Sequence, residues 1–327
     1  MLFQNPPLTI SSIVRQPGPV AVQTSSQPAK ANEGNINDCG ELFKAAKDGD
    51  VPKIKKILGE HPDQVNDVCT ACRSITPVIA AAISGHQKAV EELCNRGADV
   101  EIRDVESYTI IKLTLDAGYR EIAEYLAHRY PDMVITDPRL PQGAQWLTDQ
   151  FWEMSNKIPD KESKPPEEVL KYLLTGDEKK YKPVKGRTVS EVYWEHILLR
   201  YIGDTPCDIR RNYSDELKMA FVGTFDRILY KQDGIKESAR LLNCVLPTTA
   251  YDVYGTHVAA EQGWVTERWK YEDKKSKITV PDGIDTFLID QGKAKIVVML
   301  INYRVYEDGT FLDNPERCRL KDTRSGV

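Results

Sequence analysis

The hydrophobic pattern of the chain is most regular over residues 76–104. Apolar residues recur there at helical spacing in two short segments, first at Ile79 and Ile83 and then at Val90 and Leu93. A Thr-Pro pair precedes the first segment. This pair is typical of a helix start, because threonine can cap the helix and proline lacks only an N–H that would be unpaired there. The pattern therefore predicts two short helices followed by a Gly-Ala-Asp loop.

The same pattern returns, more weakly, on both sides of this unit. The flanking segments place Gly49 and Gly118 where Gly85 stands. The spacing from Gly85 to Gly118 is about 33 residues, and that from Gly49 to Gly85 is longer by a short insertion. One helix pair of this size cannot bury its own apolar faces, so stacked copies are needed. We predict about three repeats over residues 38–132.

This all-α pattern resembles the ankyrin repeat. The chain departs from the family at Val78 and Ile79, where Leu-His is usual. The resemblance implies a scaffold that binds a protein partner through its concave side and turn tips, and it implies a structural role for His86. The residues that carry the resemblance are Thr76, Pro77, Ala81, Ala82, Gly85, His86, Val90, Leu93, Gly97, Ala98 and Asp99.

From residue 188 onward the pattern changes. Trp194, Ile197 and Tyr201 lie on one face of a helix that Ser190 can cap. From Tyr251 onward, apolar and polar residues alternate as in strands, with turns between the segments. Helices followed by a run of antiparallel strands predict an α+β domain.

Three stretches lie outside these two domains. Residues 1–37 are rich in Pro, Ser and Gln, which predicts a disordered arm. Residues 133–187 hold two helical patterns and two charged segments, and we interpret them as a helical, charged linker. Residues 311–327 are predicted to be a flexible tail.

The order of elements in residues 188–310 resembles the nuclear-transport-factor-2-like cone and, within it, the SnoaL-like group. The resemblance implies a strongly bent antiparallel sheet that wraps around helices and leaves a pocket at its wide end. Members include isomerases, cyclases and dehydratases, and also modules that bind or dimerise without catalysis. The segments that carry the resemblance are Tyr201–Asp204, Asn212–Asp215, Asp233–Ile235 and Ile284–Lys293.

The same resemblance implies candidate site residues. Asp285 matches a strand aspartate that stays protonated in the isomerases and donates a hydrogen bond to an oxyanion. The family's helical tyrosine falls at His196 or Ile197, and its general base falls at Phe221, which cannot accept a proton. We therefore expect no isomerase activity and take Asp285 and His196 as the candidate catalytic pair. The other candidate pocket residues are Tyr213, His257, Arg268, Trp264 and Tyr303.

Each candidate also has a structural interpretation. Asp285 lies on an apolar strand face, so its carboxyl is either functional or paired, for example with Arg268. His196 lies off the main apolar stripe of its helix, which suits an exposed or packing histidine. Tyr213 and Tyr303 can equally be core aromatics.

Three functions remain open at this point. The one that we favour is an interaction protein, in which the ankyrin stack binds a protein and the cone binds a small apolar ligand or dimerises. The second is a SnoaL-like lyase, cyclase or hydratase that uses Asp285 and a histidine. The third is a structural adaptor with a filled cone. Dimerisation through the sheet is suggested by Val297, Met299 and Ile301, which share one face of an apolar strand.

Composition narrows the classes of partner. The net charge of −5 and the pI near 5.7 offer no basic surface for nucleic acid or an anionic membrane. No apolar run reaches the roughly 20 residues of a membrane helix. Seven cysteines without a dense paired framework favour a reducing compartment, so we expect a cytoplasmic or nuclear protein that is not secreted.

Cys69 and Cys72 form a single CxxC pair. A zinc site would need more ligands nearby, and the sequence offers Cys94 as the candidate. We therefore expect structural thiols in a repeat loop, with no metal and no cofactor.

Overall fold

The computed structural model describes residues 38–104, 108–246 and 252–318. They fall into two compact units, the first of residues up to 146 together with 202–205, the second of residues 147–201 and 206 onward. The predicted arm, residues 1–37, lies outside the described residues. So do residues 319–327 of the predicted tail, whereas residues 311–318 contain the end of a short strand and a 3-10 turn.

In the first unit, helices pack as three successive pairs. Thr109 caps α5 (Ile110–Asp116) by accepting a hydrogen bond from the Lys112 N–H at 3.2 Å. Thr76 occupies the N-cap position of α3 in an extended conformation, but its hydroxyl makes no capping bond. The pairs are α1 (Glu41–Asp48) with α2 (Val51–Glu60), α3 (Pro77–Ile83) with α4 (Gln87–Asn95), and α5 (Ile110–Asp116) with α6 (Arg120–Arg129).

Small residues and glycines let the pairs stack closely. Ala80, Ala81 and Ala82 of α3 are at most 1% exposed, so α1 and α5 contact this thin helix from both sides. Gly85 has a φ of +79°, and a methyl group on it would overlap the ring of Tyr119 in the next pair. Glycine is thus needed both for its positive φ and for the close approach of the following repeat.

The second unit begins with helices and ends with strands. Its helices are the greater part of α7 (Pro141–Lys157), then α8 (Glu167–Leu173), α9 (Val189–Ile202), α10 (Thr205–Asn212) and α11 (Lys231–Val245). Its strands are β1 (Tyr213–Gly223), β2 (Arg227–Tyr230), β3 (Asp252–Ala259), β4 (Trp264–Asp273), β5 (Ile278–Asp290), β6 (Lys295–Tyr303), β7 (Tyr306–Glu307) and β8 (Thr310–Phe311). Much of the predicted linker, with α7 from residue 147 and all of α8, belongs to this unit.

The strands form one mixed sheet in the order β2-β1-β6-β5-β4-β3. Most neighbours are antiparallel, as expected, but β1 runs parallel to β6. The prediction of a purely antiparallel sheet is wrong at this pair. Strands that far apart in sequence leave no local pattern that shows which of them become neighbours.

Helix α9 is buried on every side rather than along one stripe. Residues 191–199 are all buried, and the polar Glu191, Glu195 and His196 are among them. A helix without a solvent face is typical of the centre of a domain. Polar groups carried on such a helix need partners from the surrounding elements.

In strand β6, Met299 and Ile301 face the interior of the unit and not the outer face of the sheet, where the dimer hypothesis had placed them. Met299 and Ile301 are buried at 6% and 7% exposure and line a cavity, whereas Leu300 is 45% exposed on the outer face. The sequence alone does not show which residues of β6 point inward, because the residues on both faces of the strand are apolar.

Four of the seven cysteines form two disulfide bonds. Cys39 is bonded to Cys69 and Cys244 to Cys318, while Cys72, Cys94 and Cys207 are not in a disulfide. The bonded cysteines lie 30 and 74 residues apart in sequence, so spacing gave no sign of the pairing. Among the described residues, no helix has the length and apolar character to cross a membrane.

Candidate functional site

A cavity lies in the second unit between the inner face of the sheet and the helices α9 and α11. Its cavity volume is about 40 Å³, or about 510 Å³ when the open space at its mouth is counted. Most of its wall is apolar, with Met219, Phe221, Phe287, Met299 and Ile301 among the lining residues. The polar lining consists of His196, Arg200, Tyr213, Ser238, Glu267 and Asp285. A mainly apolar cavity with a few polar groups is the usual form of a small-molecule site.

Two carboxyl groups face each other on the cavity wall. Glu267 of β4 stands directly opposite Asp285 of β5, and the two residues are 1% and 8% exposed. The Tyr193 hydroxyl donates a hydrogen bond to Glu267 at 2.6 Å. Oδ1 of Asp285 has no hydrogen-bond partner among the described residues. That oxygen is therefore available to a molecule in the cavity.

Burial sets the protonation of this pair. Loss of hydration raises the pKa of both carboxyls well above the ordinary range, and the nearby charge of Asp285 raises the pKa of Glu267 further. The Trp269 indole, the Asn302 backbone and Arg200 oppose the rise for Asp285. Since two like charges this close in a dry site cannot both persist, the pair retains a proton near neutral pH. It can then donate a hydrogen bond to an acceptor in the cavity.

His196 is held by a buried polar network behind the cavity. Its Nδ1 lies 3.0 Å from the Asp208 carboxylate, which is fully buried. Asp208 also accepts from the Asn212 amide at 3.0 Å, and Asn212 accepts from Arg187 at 2.7 Å. A carboxylate can only accept, so it selects the tautomer with hydrogen on Nδ1.

Tyr213 completes this corner of the wall. Its ring packs edge-on against His196, and its hydroxyl lies 3.3 Å from the same Nδ1. Burial raises the pKa of the Tyr213 hydroxyl. The phenol therefore stays neutral at physiological pH.

The structure brings three of the sequence-derived candidates together, since Asp285, His196 and Tyr213 all line the cavity. Tyr303 is buried, with its ring 5.5 Å from that of Trp269. The other three point elsewhere, because they occupy outward positions of their strands. His257 and Arg268 are exposed, Arg268 pairs with Asp282 at 2.6 Å, and Trp264 is half-buried outside the cavity lining.

Sequence reasoning missed Glu267 and Trp269, although a signal was present. Val265, Glu267, Trp269 and Tyr271 alternate with polar residues along β4, and all four are buried. A glutamate inside such a series of inward positions is a candidate buried acid. Strand pairing, which the sequence does not show, then sets it against Asp285.

Phe221 occupies the position at which the resemblance to the isomerases would place a general base. Phe221 is 3% exposed and lines the cavity. The wall is apolar there, so proton transfer in this cavity would have to involve the carboxyl pair or His196.

Comparison with known families matches residues 42–137 to ankyrin repeats in three copies. Curated relatives match short parts of the chain. The ankyrin repeat and SAM domain-containing protein 6 of Mus musculus is 31% identical over 96 residues, which is 29% of this chain and 11% of that protein. The NAD-capped RNA hydrolase NUDT12 of Homo sapiens is 31% identical over 83 residues, or 25% of this chain and 18% of that protein. This chain therefore spans less than a fifth of the length of each relative.

Among solved structures, one from Mesorhizobium loti described as a SnoaL-like polyketide cyclase overlaps 35% of this chain and 98% of its own. The identity is 12% and the TM-score is 0.27. A likeness this low carries no argument about the second unit.

Proposed function

We propose that this chain is a protein-interaction protein. Its ankyrin repeats bind a protein partner, and its second unit, as a SnoaL-like cone, binds a small neutral molecule that is mainly apolar. The observation that carries the proposal is the stack of three ankyrin repeats over residues 42–137. Stacked repeats present extended surfaces that serve to bind other proteins.

A cross-linking experiment tests the protein partner. Val68 is 44% exposed in the loop between the first two helix pairs. A photo-reactive amino acid at this position is expected to trap one defined protein in cells. The control is the same amino acid at Lys275, which is exposed in the β4–β5 turn of the other unit. Equal trapping at both positions, or none at Val68, would contradict the proposal.

The ligand half of the proposal is supported by the cavity chemistry. Its wall is apolar, and its buried carboxyl pair keeps a proton at neutral pH, so it disfavours anions and can donate to a neutral acceptor oxygen. The cavity volume of about 40 Å³ is below that of most small-molecule sites, so an aromatic ligand would have to occupy the open mouth as well as the cavity. We therefore expect neutral, mainly apolar ligands that carry one hydroxyl or carbonyl group.

Neighbouring positions on β6 provide a matched test of the cavity. A neutral naphthol is expected to bind the full chain and to lose at least about tenfold in affinity on Met299→Phe, a shift of about 1.4 kcal/mol, because the larger ring fills the cavity. Leu300→Phe should leave binding unchanged, since Leu300 lies on the outer face. Quenching of tryptophan fluorescence provides the measurement. Equal affinity in the two variants would show that the naphthol binds elsewhere.

A catalytic function is the second candidate, because Asp285 and His196 line the same cavity. Conversion of a bound ligand by the chain, lost in Asp285→Asn, would establish it. Binding without conversion would leave the interaction function. The third option, a structural adaptor with a filled cone, is favoured if no small molecule binds, since the cavity volume is only about 40 Å³.

We also propose that the outer face of the sheet pairs two copies of the chain. Val222, Ile284 and Leu300 are 53%, 36% and 45% exposed on the adjacent strands β1, β5 and β6. Sedimentation of the full chain at micromolar concentration should give a dimer, and Leu300→Lys should give a monomer. A monomeric mass for the unchanged chain would exclude this contact.

A further inference from the structure

Three cysteine sulfurs meet at the start of the ankyrin unit. Cys39 precedes α1, while Cys69 and Cys72 lie in the loop between α2 and α3. All three sulfurs lie within 4.8 Å of one another. Cys39 is bonded to Cys69, and Sγ of Cys72 lies 3.4 Å from Sγ of Cys39. The third sulfur thus touches the bonded pair.

The loop that carries the CxxC pair is closed by its own backbone. The Cys72 N–H donates to the Cys69 carbonyl at 3.1 Å, and the Ile75 N–H donates to the Cys72 carbonyl at 3.2 Å. The Cys69 N–H in turn donates to the Ile75 carbonyl at 3.0 Å. Since these bonds do not involve sulfur, the turn is expected to keep its shape when the disulfide is reduced. The two loop sulfurs then remain close to Cys39.

We propose that Cys39, Cys69 and Cys72, once reduced, form a site for one thiophilic d10 metal ion, Zn²⁺ or Cu⁺. Thiolate ligands select these ions. Sulfurs bound to zinc at about 2.3 Å in a tetrahedron stand roughly 3.8 Å apart, which is compatible with the spacing here. Spacing along the sequence had offered Cys94 as the third ligand, but the fold supplies Cys39.

The surroundings of the three sulfurs suit a metal ion that keeps one coordination position open. Cys39 and Cys69 are 5% and 6% exposed, whereas Cys72 is half-buried and gives access from solvent. No further His, Cys, Asp or Glu of the described residues joins the cluster. Zn²⁺ would therefore take a water or a partner's group as its fourth ligand, and Cu⁺ would be held by three sulfurs alone.

The bonded and metal-bound forms exclude each other. Reduction by a small thiol breaks the bond between Cys39 and Cys69, gives each sulfur a proton, and turns two molecules of the thiol into their disulfide. Metal binding then displaces three protons from three thiols and forms three metal–sulfur bonds. The surroundings of the chain thus decide whether the cluster is a disulfide with one thiol or a metal site.

The test uses the full chain, reduced with a phosphine and freed of reductant without air. Zn²⁺ is titrated against a chromogenic chelator, Cu⁺ is titrated in the same way, and Cd²⁺ reports sulfur ligation by its charge-transfer absorption. We expect one ion per chain in the reduced protein and none at this site in the oxidised protein. Cys72→Ser, which leaves the Cys39–Cys69 pair intact, should weaken binding at least about 100-fold, since one of three ligands is lost.

Cys207→Ser is the matched control, because Cys207 is a buried cysteine of the other unit that is not in a disulfide. It should bind as the unchanged chain does. The proposal is overturned if the reduced chain binds no more metal than Cys72→Ser, or if Cd²⁺ binds without the sulfur absorption. A tighter complex with Zn²⁺ than with Cu⁺, or the reverse, identifies the ion that the site prefers.

Discussion

Replacing Glu195 by alanine is expected to cost about 3–5 kcal/mol of the free energy of unfolding, because it leaves buried cations without their anion. The side chains of Glu195 and Arg187 are both fully buried and lie 2.7 Å apart. Glu195 also accepts from Arg211 at 2.7 Å and from the Tyr172 hydroxyl at 2.6 Å. One carboxylate thus serves two arginines and a phenol. Urea denaturation followed by the fluorescence of Trp194 and Trp269, both buried in this unit, measures the loss.

The matched control is an exposed ion pair of the same unit. Glu216 pairs with Lys293 at the surface, where its side chain is 75% exposed. Glu216→Ala should leave the denaturation midpoint unchanged within error, because exposed pairs contribute little. A comparable loss in both variants would mean that the buried network does not carry this stability. Glu195→Ala should also change the position of His196 in the cavity wall, since Arg187 is linked to His196 by hydrogen bonds through Asn212 and Asp208.

The second large effect concerns pH. The stability of the chain is expected to fall as the pH rises from about 4 to about 8, and Asp285→Asn is expected to flatten this dependence. The folded pKa of the Asp285 and Glu267 carboxyls is raised above the unfolded values near 4. Their contribution is therefore fully present below pH 4 and is lost as the pH rises through the raised folded pKa.

One pH unit between the folded and the unfolded pKa of a carboxyl corresponds to about 1.4 kcal/mol, so the stability lost at high pH is at least of that order. Urea denaturation at a series of pH values gives this slope. Asp282→Asn is the control on the same strand, because Asp282 is exposed and paired with Arg268, and its pKa is lowered mainly by that bond. An equal slope in the unchanged chain and in Asp285→Asn would show that the pair is ionised throughout.

The ankyrin repeats were predictable because their signal is local. Thr76, Pro77 and the spacing of Gly85 and Gly118 reflect contacts within one helix pair and with the next one, and such contacts repeat along the sequence. The family comparison over residues 42–137 confirms this prediction. The helices and strands of the second unit were also visible as changes of period.

The candidate site could be predicted only in part, because its geometry depends on pairing between distant strands. Asp285 could be singled out from its apolar strand face. That Glu267 lies opposite Asp285 is set by the register of β4 on β5. That Met299 points inward could not be predicted, because the residues on both faces of β6 are apolar. The cluster of Cys39 with Cys69 and Cys72 has the same origin, since a fold contact brings together sulfurs that sequence spacing keeps apart.

The parallel pairing of β1 with β6 has a consequence for synthesis on the ribosome. The repeats can fold as they emerge, because each contacts only its neighbours. Strand β1 has to wait for β6, about 70 residues later in the chain, which corresponds to roughly 4–14 s of translation. During that time Met219 and Phe221 have no sheet neighbour on that side. A chain that ends before Lys295 therefore carries a folded repeat stack joined to an apolar strand with an open edge, which is a substrate for chaperones and a site of aggregation.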